Sequence, residues 1–116
     1  MPKARRKIER LKQLHAWMQS RYQTPYPTVL RFVRDMPDVS GYVEKKRNKL
    51  VITLVKSCPL YHLIDVLCHE YAHCVDYPHA RVERPDHGPS WGLAMAQIYA
   101  DLYEGDGWRE SCEIKW

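Results

Sequence analysis

The sequence predicts an α+β fold: a small, mostly antiparallel three-stranded sheet packed against an N-terminal helix and a central helix, with a further C-terminal helix. Three observations predict it. Apolar residues recur at three- and four-residue intervals over residues 3–22 and again over about 57–76. Short apolar runs bounded by Pro, Gly and Asn lie between those two segments. The chain has 116 residues, 45% of them hydrophobic, which is enough for one core and short for two, so residues 1–116 read as a single domain.

Each element has its own signal. Ile8, Leu11, Leu14, Met18 and Tyr22 form one stripe of the first helix, and Thr24-Pro-Tyr-Pro-Thr ends it because two prolines cannot continue it. Val29 to Val33 alternates as a short strand. Tyr42–Lys46 and Leu50–Val55 read as a hairpin around Arg47-Asn48. The last of these strands is apolar on nearly both faces, which places it inside the sheet. Ser57 is read as the N-cap, with Pro59 in the first turn, of a helix running to about Asp76. Its stripe is Leu60, Leu63, Ile64, Leu67, Tyr71, Cys74 and Val75. A polar loop over about 77–88 follows, and Pro89 opens a helix with Trp91, Met95, Ile98 and Leu102 inward and Gly105 near its end. The tail, Trp108 to Trp116, is expected to add a short strand.

Composition removes several classes of protein. No run approaches the roughly 18 consecutive apolar residues of a membrane span, and Met1-Pro-Lys-Ala-Arg-Arg-Lys lacks the apolar stretch of a signal peptide. None of Cys58, Cys68, Cys74 and Cys112 forms a Cys-x-x-Cys pair, so a zinc ribbon is unsupported. Two of them sit in the central apolar helix as small hydrophobes, which fits reduced thiols and a cytoplasmic protein. The net charge of +4 is unevenly spread: residues 1–56 carry +10 and residues 57–116 carry −6. That polarity suits a polyanion on one side of the molecule.

The chemistry lies in His69-Glu70-Tyr71-Ala72-His73. Residues four apart on a helix differ by about 40° and about 6 Å of rise, so the two imidazoles project together and can bind one zinc ion. Glu70 sits further round, where it reaches a water at the ion without ligating it. The motif occurs by chance in a chain of this composition roughly 2% of the time; its position in an amphipathic helix makes it specific. A third ligand comes from His79 or His87. His87 is favoured because it stands before Gly88-Pro89 at a helix start, after a loop long enough to return to the metal. His62 lies two turns before His69, about 10 Å away, and cannot share the ion; it reads as a surface or cleft-lining histidine. His15 reads as a partly buried structural residue. Met95 does not mark a metzincin, because the extended spacing of that class is absent.

His-Glu-x-x-His followed some 14 residues later by His-Gly-Pro-x-Trp resembles the SprT-like metalloproteases, the family of Spartan, over about residues 5–105. The resemblance implies that His69, His73 and His87 hold one catalytic Zn2+ and that Glu70 is the general base. It also implies a DNA-associated endopeptidase that cleaves proteins crosslinked to DNA. Many relatives add a C-terminal Cys-rich ribbon, and this sequence has none, so a minimal, stand-alone catalytic domain is expected. DNA contact, to single strands or junctions, then falls to the basic half. Arg5, Arg6, Lys7 and Arg10, within the basic run Lys3 to Lys12, and Lys45, Lys46, Arg47 and Lys49 are the candidate phosphate contacts. Trp17, Tyr22 and Tyr26 are candidates for stacking on unpaired bases, with core packing as the plainer use.

In the expected mechanism zinc polarises the scissile carbonyl and Glu70 shuttles the proton. Tyr77, Tyr99 and Tyr103 are unranked candidates to stabilise the oxyanion, the 77–88 loop is a candidate lid, and an exposed sheet edge could pair with an extended substrate. The protein is expected to be a monomer with a protein substrate and no membrane partner. Two rival readings are a non-catalytic, zinc-stabilised DNA-binding module, and another small zincin that cleaves a repressor, with Glu83 or Asp101 as the carboxylate ligand.

Overall fold

The computed structural model describes residues 3–77 and 88–113. Helix α1 (Lys3–Arg21) is followed by β1 (Thr28–Val33), β2 (Gly41–Lys46), β3 (Lys49–Val55), α2 (Leu60–Asp76) and α3 (Pro89–Tyr99). A π-helical turn, Ala100–Glu104, joins α3 to α4 (Gly107–Glu113).

Strand β3 is buried from Leu50 to Val55 and takes the centre of the sheet, in the order β1-β3-β2. It pairs antiparallel with β2, Val43 opposite Ile52, and parallel with β1, Leu30 opposite Ile52. The sheet is therefore mixed, with one antiparallel and one parallel pair, rather than mostly antiparallel. A strand apolar on both faces is stable only with a neighbour on each side. The hairpin turn, in which Arg47 adopts a left-handed φ of 57°, places β2 on one edge. Residues 34–40 reverse the chain over the width of β3, so β1 is left for the other edge, running the same way as β3.

Leu50, Ile52 and Leu54 face the helices and join one core with Leu11, Leu14, Trp17 and Met18 of α1 and Leu63, Leu67, Cys68, Tyr71 and Cys74 of α2. Ile98 and Leu102 complete it from the C-terminal side. Trp17 is thus a core residue. The other face of the sheet carries Thr53, spanned by a hydrogen bond from Arg31 Nη2 to Tyr42 Oη at 2.9 Å.

Two expectations give way. The cap of α2 is Pro59, and its backbone carbonyl accepts from Leu63 N at 3.0 Å; Ser57 donates its hydroxyl to Asp35 instead. The tail is a helix as far as Glu113, not a strand. Gly107 must be small there, since a Cβ would lie 2.5 Å from both the Asp101 carbonyl and the Trp17 ring. All four cysteines are free thiols, and burial pushes Cys68 up to about 12. No helix among the described residues is long and apolar enough to cross a membrane.

His15 is 7% exposed, hydrogen-bonded through Nε2 to Thr28 Oγ1 at 2.9 Å, with its ring edge-on to Tyr71. Burial lowers its pKa from 6.5 to about 4. The unfolded chain therefore binds a proton that the folded chain refuses, and stability from this group is lost as pH falls from 6.5 towards 4. Relative to His15→Gln, wild type should lose roughly 3 kcal/mol between pH 7 and pH 4. Urea titrations of both proteins across that range check it; a pH-independent difference refutes the assignment.

Candidate metal centre and cleft

Helix α2 divides its residues between the core and the site. Leu63, Leu67, Tyr71 and Cys74 are buried against the sheet and α1, and the 100° step per residue leaves His69 and His73 on the flank. Both histidines are partly exposed, and their Nε2 atoms lie 3.2 Å apart. Two nitrogens bound at about 2.05 Å to one tetrahedral ion stand about 3.3 Å apart, so this pair already has the bite of a zinc chelate. His69, Glu70 and His73 each offer a ligand atom, all within 4.8 Å of one another. The donor set, two imidazoles with a carboxylate alongside, fits zinc.

Glu70 is 9% exposed, and its Oε2 lies 4.0 Å from His69 Nε2. Burial pushes its carboxyl up to about 7, and a cation held by the neighbouring imidazoles would draw it back down. Glu70 and His69 line a cleft of about 390 Å3 between α2, the start of β2 and α3. Ser40, Gly41, Asp65, Met95 and Tyr99 are among the other walls. Met95 is therefore a partly buried cleft residue as well as part of the α3 stripe. His62 also lines the cleft and bonds through Nε2 to Ser40 Oγ at 2.8 Å, tying α2 to the loop before β2. Gly41 allows that closeness, because a Cβ there would meet Val66 Cγ1 at 2.7 Å and the Thr53 carbonyl at 2.9 Å. Tyr99 lines the cleft, and burial, with Asp65 next, pushes it up to about 12. Tyr103 donates to Asp65 at 3.2 Å, while Tyr77 packs on Tyr26.

Trp91 is a site residue that the apolar pattern of α3 disguised as core. Its ring centroid lies 4.9 Å from that of His69 and 5.5 Å from that of His73, and its Nε1–H donates to the His69 carbonyl at 3.3 Å. The available signal was its place four residues after His87, in the second motif. His79, Glu83 and His87, and most of the 77–88 loop, lie outside the described residues. Asp101 is not part of the cluster: it accepts from Tyr22, Arg21 and Gln97, joining the π-helical turn to the end of α1.

The basic residues fall into two separate groups. Lys7 donates to the Lys56 and Cys58 carbonyls, just beyond the C-terminal end of β3. Arg10 donates to Ser111 and lies 4.5 Å over the Trp108 ring, fastening α1 to α4. Arg5 and Arg6 are exposed near them. The hairpin group sits at the other end of β3, about 20 Å away at the strand's rise per residue. There Lys45 lies over the Tyr26 ring, Lys46 pairs with Glu44 at 3.2 Å, and Arg47 and Lys49 are exposed.

A three-stranded mixed sheet backed by a helix that presents a His-Glu-x-x-His cluster to an open cleft is the plan of a zincin-like metalloprotease domain. The chain belongs to the SprT-like family, whose family model matches residues 8–113, nearly its whole length. Comparison with curated proteins and with solved structures gives no match.

Because Trp91 holds both rings and a backbone carbonyl, Trp91→Ala should weaken zinc binding about 10- to 100-fold while the chain stays folded. Chelator competition, with circular dichroism as the folding control, measures it; unchanged affinity removes Trp91 from the site.

Proposed function

We propose that this protein is a zinc-dependent endopeptidase that docks on DNA and cleaves proteins bound or crosslinked to it. The observation that carries the peptidase reading is the pair of imidazoles at chelating distance, with the buried Glu70 beside them on the wall of an open cleft. His69 and His73 hold the ion, and His87 is the third ligand. When bound, zinc supplies Lewis acidity towards a carbonyl oxygen and makes a coordinated water acidic near neutral pH.

The chain's own residues do the rest. Glu70 takes the proton of the attacking water on a carboxylate oxygen and returns it to the leaving amine nitrogen. Its burial keeps bulk water from competing for that proton. His62 and Ser40 brace the cleft wall on the β2 side, where the outer edge of β2, unpaired among the described residues, can pair with an extended peptide. Tyr99 is the tyrosine that lines the cleft, and its retained hydroxyl proton can be donated to the oxyanion. The exposed cations of the β2–β3 hairpin support DNA docking, with Arg5 and Arg6 as a separate, outlying pair.

Glu70→Gln should keep one zinc per chain and lower peptidase activity about 10²- to 10⁴-fold. Zinc analysis and digestion of a DNA-binding protein substrate, with and without single-stranded DNA, check both halves. A variant that cleaves like wild type overturns the role of Glu70, and bound zinc without proteolysis in wild type would mean a structural metal module. His87→Ala should lose zinc, whereas His79→Ala should retain it; the reverse result makes His79 the ligand.

A further inference from the structure

A second cavity, of about 410 Å3, opens where the end of α1 turns into β1. It belongs to a different face of α2 from the cleft: its wall is Tyr71, about 200° around the helix from His69. Tyr22 and Pro27 complete the flat apolar walls, and Gln19, Gln23, Thr24 and Thr28 supply the polar lining. None of these side chains carries a charge at neutral pH, so the cavity suits a neutral, flat, hydrogen-bonding group.

The polar atoms are arranged to accept. Gln19 spends its amide donors on the Thr28 carbonyl and hydroxyl at 3.0 and 3.1 Å, which leaves Oε1. Thr24 donates to the Tyr26 carbonyl and Tyr71 to the Tyr22 carbonyl, and the Tyr71 hydroxyl also has the Thr28 and Thr24 side chains as partners, so these hydroxyls brace the cavity wall and the Gln19 carbonyl oxygen is the acceptor that faces a ligand. Gln23 is exposed and holds no hydrogen bond among the described residues, leaving a whole amide at the mouth.

Positive charge lies beside the cavity rather than in it. Thr28, Leu50 and Lys45 form one row across the sheet on one face, which puts Lys45 about 10 Å from Thr28 at the strand spacing. Pro27 is fastened to that row by its carbonyl, which accepts from Leu50 N at 2.9 Å. The Lys45 ammonium lies 4.7 Å over the ring of Tyr26, the residue before Pro27 of the cavity wall, with Arg47 and Lys49 exposed further along the hairpin.

We propose that this cavity takes one unpaired nucleobase of a single strand whose phosphates run over the β2–β3 hairpin. The proposal rests on the DNA-docking part of the function above and states what that docking reads. Exocyclic amines and ring N–H groups meet the acceptors, the base plane lies against Tyr22 and Pro27, and the flanking phosphates meet Lys45, Arg47 and Lys49. A base stacked in a duplex cannot enter without being flipped out, so single strands are favoured over duplex.

The test uses the full chain and fluorescein-labelled strands of about a dozen nucleotides, one of mixed bases and one of abasic residues, read by anisotropy. Wild type should bind the base-bearing strand about tenfold more tightly than the abasic strand. Gln23→Leu, which changes no charge, should shrink that preference severalfold and leave abasic binding unchanged. Lys45→Gln should weaken both strands alike. A 4-thiothymidine strand should photo-crosslink to residues 19–28. Equal wild-type affinity for the two strands, or crosslinks only elsewhere, overturns the base site while DNA docking stands. No binding of either strand at low salt overturns docking and the base site together. A free nucleoside monophosphate that fills the site as tightly as the strand would make it a small-molecule site instead.

Discussion

Everything in this fold depends on the rotational setting of α2 against β3. Leu63, Leu67, Tyr71 and Cys74 must face the sheet and α1 to close the core, and they are all fully or almost fully buried. Once that phase is set, the helical repeat leaves no choice for His69 and His73, which emerge on the flank with their Nε2 atoms at chelating distance. A rotation of α2 large enough to turn the pair away from the cleft would also pull Leu67 and Tyr71 out of the core. The chelate spacing is therefore set by the helical repeat, and its placement on the cleft by hydrophobic packing, so the metal need not create either.

The same setting builds the cleft. Glu70 lies between core and flank, buried enough to be pushed up to about 7 yet still on the cleft wall. Gly41 lets the start of β2 approach Val66 closely, and the bond from His62 to Ser40 fixes the spacing from the other side. Trp91 then covers both imidazoles from α3. The site is thus assembled from three elements, with His-Glu-x-x-His on α2, the Trp of the second motif on α3, and no motif at all at the start of β2. The tyrosine at the back of the same helix, Tyr71, walls the second cavity, so one helix separates the chemistry from a neutral pocket beside basic residues.

The distribution of basic residues shows how charge and position come apart. A count along the chain treats residues 1–56 as one basic half, but folding sends Lys7 to backbone carbonyls and Arg10 to Ser111 and Trp108. Those two cations fasten helix ends, and the hairpin group stands at the opposite end of β3.

Local patterning alone determined α1, α2 and α3, the hairpin at Arg47-Asn48 and the His-Glu-x-x-His face, because each depends on residues only a few positions apart. The central place of β3 was also legible, since a strand apolar on both faces needs neighbours on both. Long-range packing decided the rest. β1 runs parallel to β3 because the hairpin had already occupied the other edge, which no pattern within β1 records. Ser57 turns to Asp35 and leaves Pro59 as the cap, and the tail helix begins at Gly107, which packs too closely on Trp17 to carry a Cβ. By its apolar pattern Trp91 looks like any inward residue of an amphipathic helix, and only its place in the second motif marks it before α3 is laid across α2. Contacts between residues far apart in the chain are chosen by the shape of the whole core, and no window of sequence contains that shape.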